Sequence, residues 1–133
     1  SEHSALTDPD DAAEYVERTG IDALALAIGN AHGIYTELPE LDFDRLAAIR
    51  EVVDRPLVLH GGSGIQQEYI LQGIKRGICK INIGTDIRQA YERALAETGE
   101  VGAGKDAVYD RTCWILRKYL NIAGARRVLT ATS

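Results

Sequence analysis

Apolar positions along this chain switch repeatedly between helical and extended spacing. Ala12, Ala13 and Val16, joined by Tyr15, fall on one side of a helix that opens at Thr7-Asp8-Pro9-Asp10. Thr7 or Asp8 can cap it, proline is tolerated in the first turn, and the acids lie near the positive end of the dipole. Gly20 stops it, and Ile21-Asp22-Ala23-Leu24-Ala25-Leu26-Ala27-Ile28 follows. That run is apolar on both faces apart from Asp22, as a parallel strand covered on both sides should be. Asp42 caps a helix from Phe43 to about Val53, with Leu46, Ile49 and Val53 at helical spacing. After the turn Asp54-Arg55-Pro56, Leu57-Val58-Leu59 reads as a second buried strand.

A third helix spans Gln66 to Arg76, with Ile70, Leu71 and Ile74 as its apolar side and Gly77 as its stop. Ile78-Cys79-Lys80-Ile81-Asn82-Ile83 is the third strand, and Gly84-Thr85-Asp86 caps a helix from Ile87 to about Thr98. Gly99 to Gly104 reads as a flexible connector. A last amphipathic helix, from about Lys105 to Asn121, carries Val108, Trp114, Ile115, Leu116 and Leu120, with a frayed tail after Gly124. The order α-β-α-β-α-β-α-α predicts an α/β fold with a parallel sheet and right-handed crossovers.

Length and charge narrow the picture. At 133 residues the chain fits one domain but is too short for a complete (β/α)8 barrel, which takes roughly 200 residues or more. Its net charge of −5 argues against nucleic acid as the main partner. No apolar run approaches a membrane span, and no signal peptide is expected from Ser1-Glu2-His3 and the acidic helix start that follows. Cys79 and Cys113 make no disulfide framework, so a cytoplasmic setting is expected. The absence of methionine fits a piece of a longer chain.

Each strand ends in glycine and polar groups, at the end where α/β proteins place their chemistry. His32 follows the first strand and His60 closes the second. Each alone reads as a hydrogen-bonded structural histidine. As a pair in matching positions they suit a divalent metal, zinc first, although a catalytic zinc takes three protein ligands. His3 lies in an N-terminal arm. His60-Gly61-Gly62-Ser63-Gly64 reads either as a tight strand-to-helix turn or as a phosphate cradle whose amides face an anion. A second such loop, Asn82-Ile83-Gly84-Thr85, favours the cradle, because many barrels hold phosphate between the loops after strands 7 and 8. Backbone amides would let an acidic chain bind an anion. Lys80 and Asn82 share a strand face. Both point toward the barrel mouth, or Lys80 pairs with a carboxylate inside it. Cys79 then faces the helices as core. Trp114 reads as packing, and the charges of the first and fourth helices as solvated faces.

Three motifs together, Ala27-Ile28-Gly29-Asn30-Ala31-His32-Gly33, Pro56-Leu57-Val58-Leu59-His60-Gly61-Gly62-Ser63-Gly64 and Lys80-Ile81-Asn82-Ile83-Gly84-Thr85, resemble the class II, zinc-dependent ketose-bisphosphate aldolases of the fructose- and tagatose-bisphosphate type. The resemblance covers residues 1 to about 98, and the C-terminal helix fits in character only. It implies part of a TIM barrel, with these strands as strands 6, 7 and 8, residues 1–98 as βα units, and 99–133 as connector, terminal helix and tail. It implies His32 and His60 as zinc ligands, and Gly33, Gly61, Gly62 and Ser63 as binders of dihydroxyacetone phosphate. Asn82, Ile83, Gly84 and Thr85 would complete the phosphate and ketose site, with Asn82 as the catalytic amide. Zn2+ would act as a Lewis acid on the ketose carbonyl, and a monovalent cation near the phosphate is also allowed.

The resemblance places the remaining histidine ligand and the catalytic aspartate on strand 3, which has no counterpart here. Gly62 stands where alanine is expected, a mild change. Asn30 stands where a small residue or threonine is usual. The whole enzyme would cleave a ketose 1,6-bisphosphate to dihydroxyacetone phosphate and glyceraldehyde 3-phosphate, and this piece alone would be inactive. Its partner is a sugar phosphate, with no nucleic acid and no membrane, and a homo-oligomer or association with a missing N-terminal half is expected. A different reading is a non-catalytic phosphate-binding half-barrel that docks through its open sheet edges. A third is a metal-free phosphate-binding barrel enzyme.

Overall fold

A computed structural model describes residues 6–30 and 39–127. It forms two compact units, Ser1–Thr85 and Asp86–Ser133. The first contains α1 (Pro9–Thr19), β1 (Leu24–Leu26), α2 (Phe43–Val52), β2 (Leu57–Leu59), α3 (Gln67–Lys75) and β3 (Ile78–Ile81). Helix α4 (Thr85–Thr98) leads into the second unit, which continues with α5 (Val101–Trp114).

Local chemistry sets the helix ends as expected. Asp8 is the cap of α1, its carboxylate accepting from the Asp10 and Asp11 amides at 2.9 and 3.3 Å. Gly20 closes α1 in the left-handed conformation at φ 63°. The Asp42 carboxylate accepts from the Arg45 amide at 2.8 Å at the start of α2. The Thr7 amide donates to the Ala27 carbonyl and the Ala27 amide to Thr7 Oγ1, both at 2.8 Å, which ties the approach to α1 onto the end of β1. Arg45 Nη1 donates to the Thr7 carbonyl at 2.9 Å and anchors that approach to α2.

The three strands form one parallel sheet in the order β1-β2-β3. This is an α/β fold with flanking helices, the class read from the sequence. Burial differs along the sheet. Leu57, Val58 and Leu59 of the central β2 are all buried, whereas in β1 Leu24 and Leu26 are buried and Ala25 between them is exposed. Two-sided burial therefore holds only for β2. Among the described residues β1 and β3 each pair with β2 alone. Leu46, Ile49 and Val53 from α2 and its end, Ile70 from α3, and Ile28 and Ile65 complete this core. Tyr15, expected with the buried stripe of α1, is instead 54% exposed, and Ile74 of α3 lies at the surface.

β3 carries a bulge. Leu57 pairs with Ile78 but Val58 pairs with Lys80, so Cys79 is the extra residue. Cys79 is exposed, not core, because the bulge and its place on an outer strand take it off the helix-facing row.

The expected connector at 99–104 is mostly helix. Glu100 precedes α5, and Gly102 and Gly104 lie inside it. Gly104 is buried against Tyr91 of α4: a Cβ there would sit 2.6 Å from the ring. Its glycine serves close helix packing, not chain flexibility. Arg111 of α5 binds Asp86 with two parallel hydrogen bonds of 2.9 and 2.8 Å and lies over the Trp114 ring at 4.1 Å. After Trp114 the helix widens into a π-helical turn, Ile115–Tyr119, and the Leu120 amide donates to the Ile115 carbonyl at 2.8 Å. The wider turn brings residues five apart into line, and Trp114 stacks on Tyr119 with centroids 5.8 Å apart. The indole and Leu116 remain partly exposed, while Ile115 and Tyr119 are buried.

Gly104→Ala is expected to destabilise the chain by about 1–3 kcal/mol, since the Tyr91 ring must move. Gly102→Ala, which meets nothing within 4 Å, should stabilise it by up to ~1 kcal/mol. Urea unfolding of the two variants measures both.

Candidate active site

The C-terminal ends of β2 and β3 are stitched together through the backbone. The Asn82 amide donates to the Leu59 carbonyl and the Gly62 amide donates to the Asn82 carbonyl, each at 2.9 Å. The loop Gly61-Gly62-Ser63 is thereby held beside Asn82-Ile83-Gly84-Thr85. Gly61 and Gly64 adopt φ values of 62° and 84°, which turn the chain sharply from β2 toward α3. Gly62 and Ser63 are buried, and Gly61 is half-buried. The β3 loop ends where α4 begins, at Thr85.

Gly62 is more tightly specified than the sequence suggested. A Cβ there would lie 2.5 Å from Ile81 Cγ2, 3.2 Å from the Asn82 carbonyl oxygen and 3.2 Å from Ile83 Cγ1. Ile81 is β-branched and lies on the paired strand, so its methyl has little freedom to yield. In this chain the close approach of the two loops depends on having no side chain at 62.

Side chains meet at the same rim. His60 is half-buried, and its Nδ1 lies 3.1 Å from Asn82 Nδ2. Lys80 Nζ donates to Asn82 Oδ1, so Lys80 and Asn82 do share a face, and the lysine binds an amide there instead of a carboxylate. His32 and Gly33, expected at the end of the first strand, lie outside the described residues, as does His3. The structure therefore brings together His60, Gly61, Gly62, Ser63, Asn82 and Ile83, with Gly84 and Thr85 next in the chain.

Asn30 was not singled out for a role by its sequence position. It is buried, and its Oδ1 accepts from the Ile28 amide at 2.8 Å. Its Nδ2 donates to the Leu26 carbonyl at 3.2 Å and to the His60 carbonyl at 3.0 Å. One amide thus closes the end of β1 and pins it to the histidine at the end of β2. The available signal was a polar amide directly after a run of apolar strand residues, where burial demands partners for every polar atom.

A metal would need more than the described residues supply. Among them no group of three or more His, Cys, Asp or Glu side chains converges. His60 fits as one donor of a set, since a half-buried imidazole on a rigid strand end is a suitable ligand. Its Nδ1 is engaged by Asn82 in this arrangement.

Parallel strands joined through helices, with their polar loops gathered at the C-terminal ends, define part of a (β/α)8 barrel. The chain belongs to the class-II fructose-bisphosphate aldolase family, which it matches over residues 1–130. It is similar to the YdjI aldolase of Escherichia coli K12, at 44% identity and a TM-score of 0.82 over 90% of this chain and 47% of that one. It is also similar to a putative fructose-1,6-bisphosphate aldolase of Coccidioides immitis, at 30% identity and a TM-score of 0.78, covering 93% of this chain and 46% of that one. A fructose-bisphosphate aldolase of Campylobacter jejuni, at 22% identity and a TM-score of 0.66 over 87% of this chain and 45% of that one, shares the fold. The chain spans about half the length of these structures.

Two substitutions test the rim. Gly62→Ala should cost about 1–3 kcal/mol through overpacking against Ile81. Asn30→Ala should cost about 1–3 kcal/mol, because it leaves buried backbone groups without their partner. Denaturant midpoints at unchanged slope are the measurement for each.

Proposed function

We propose that this chain is the C-terminal part of a class II aldolase barrel, strands 6 to 8, and that it supplies the phosphate cradle and part of the metal site. The whole protein would reversibly cleave a ketose 1,6-bisphosphate, of the fructose or tagatose type, to dihydroxyacetone phosphate and glyceraldehyde 3-phosphate. The observation that carries this reading is the pair of stitched loops, with His60 and Asn82 beside them at one rim. Family membership adds to it.

In this reading the backbone around Gly61, Gly62 and Ser63, the Ser63 hydroxyl, and the turn Asn82-Ile83-Gly84-Thr85 bind the phosphate of the three-carbon ketose, joined by Gly33. Small residues matter because an anion must come within hydrogen-bond distance of the backbone. Asn82 donates its amide to a substrate oxygen and stabilises charge that develops there. His60 and His32 would hold zinc, which when bound supplies Lewis acidity toward the ketose carbonyl. A monovalent cation near the phosphate is compatible with the same cradle. The carboxylate that moves the proton, and the third histidine, would come from strand 3 of the barrel. The 133 residues alone are therefore expected to bind phosphate but not to cleave substrate.

A second reading, a phosphate-binding half-barrel that assembles with itself or with an N-terminal half, is favoured by the outer strands. Among the described residues, β1 and β3 each have a partner on one side only. The two free cysteines support a reducing, cytoplasmic setting. No helix among the described residues is long and apolar enough to cross a membrane.

Titrating the chain with dihydroxyacetone phosphate should shift the backbone amide resonances of residues 61–63 and 82–85, and Ser63→Ala should weaken binding by about fivefold. Amides that stay unmoved at millimolar ligand would sink the cradle. The same preparation, freed of host aldolase, should show no metal-dependent cleavage of fructose or tagatose 1,6-bisphosphate. Turnover would overturn the claim that the piece is inactive.

A further inference from the structure

Three side chains form a short relay at the end of β3. Lys80 Nζ meets Asn82 Oδ1, and Asn82 Nδ2 meets His60 Nδ1 at 3.1 Å. The direction of this relay follows from what each group can do. A lysine ammonium carries donors only, so the amide must turn its oxygen toward it. The NH2 end is then left for His60, and an amide nitrogen offers no acceptor. Nδ1 must accept, and the ring hydrogen of the neutral imidazole sits on Nε2.

We propose that Lys80 is a positioning residue: it fixes the orientation of the Asn82 amide and, through that amide, the tautomer of His60. The strand geometry builds this in. The bulge at Cys79 brings Lys80 into register with Val58, and the alternation of the strand puts Asn82 on the same face two residues on. The Asn82 backbone is itself clamped between the Leu59 carbonyl and the Gly62 amide, so its side chain projects from a fixed point. Lys80 is exposed and its ammonium keeps contact with water, which avoids the cost of burying a charge.

Two consequences follow. The rim presents an amide donor, rather than a carbonyl, beside the imidazole. Any group that binds His60 through Nδ1 must first displace the Asn82 amide. Neither consequence rests on the aldolase reading, because both concern hydrogen bonds within this chain.

The test is a long-range proton–nitrogen correlation on the chain carrying labelled histidine and asparagine, recorded where the ring nitrogens of His60 give the spectrum of a neutral imidazole. His60 is expected as the Nε2–H tautomer, with Nδ1 an acceptor. Asn82→Asp should move the hydrogen to Nδ1, because a carboxylate only accepts. Lys80→Met should change the tautomer ratio by about fivefold, the worth of one hydrogen bond, and Lys80→Arg should restore it. An Nδ1–H tautomer in the unmutated chain would overturn the proposal, as would an unchanged ratio in folded Asn82→Asp or Lys80→Met. Backbone amide spectra report whether each variant is folded. If a variant is not, a coupling across the hydrogen bond between Asn82 Nδ2 and His60 Nδ1 in the unmutated chain reads the same contact, and its absence refutes the relay. None of these readouts depends on phosphate binding or turnover, so a failed cradle and a failed relay give different results.

Discussion

The functional end of this chain depends on the approach of the β2 loop to Asn82. The Asn82 backbone gives its N–H to Leu59 and takes the N–H of Gly62, so two strand ends are locked across a gap too narrow for a side chain at 62. That lock places residues 61–63 beside 82–85 and aims the Asn82 side chain at His60. Asn30 makes the corresponding tie on the other side, from the end of β1 to the His60 carbonyl. His60 is thus held at the rim through its backbone on one side and its ring on the other.

These ties are polar, but the layer beneath them is not. Leu57 and Leu59 of β2, Leu24 and Leu26 of β1 and Ile78 of β3 are buried, as are Leu46 and Ile49 of α2 and Ile70 of α3, and α3 packs on β3. Apolar burial, at roughly 25 cal/mol per Å², holds the strands in place. The hydrogen bonds at their ends then decide geometry more than stability, each contributing about 1 kcal/mol net. A site built this way keeps its precision as long as the sheet under it is intact.

Much of the arrangement was legible in the residues. Asp8, Gly20, Asp42 and Gly77 mark helix ends by local chemistry, and the structure uses them there. The shared face of Lys80 and Asn82 followed from strand alternation, and the glycine-rich strand ends marked the rim. Other positions were not legible. Tyr15 and Cys79 are apolar or small residues at plausible core positions, yet whether they are covered depends on neighbours that period alone does not reveal. The glycines at 102 and 104 looked like a flexible connector, because sequence does not distinguish glycine used for freedom from glycine used for contact. Tyr91 makes that distinction at 104.

By itself the sequence determined the alternation of helices and strands, the polar strand ends and the family motifs, because these rest on local propensity and short spacings. Tertiary structure alone decided that Gly62 has no room for a methyl, that Asn30 joins two strands, and that Lys80, Asn82 and His60 form a directed relay. Each of those depends on atoms that lie 19 or more residues apart in the chain or on the register of a bulged strand. Such distances are set by how the strands pack, which no local pattern encodes.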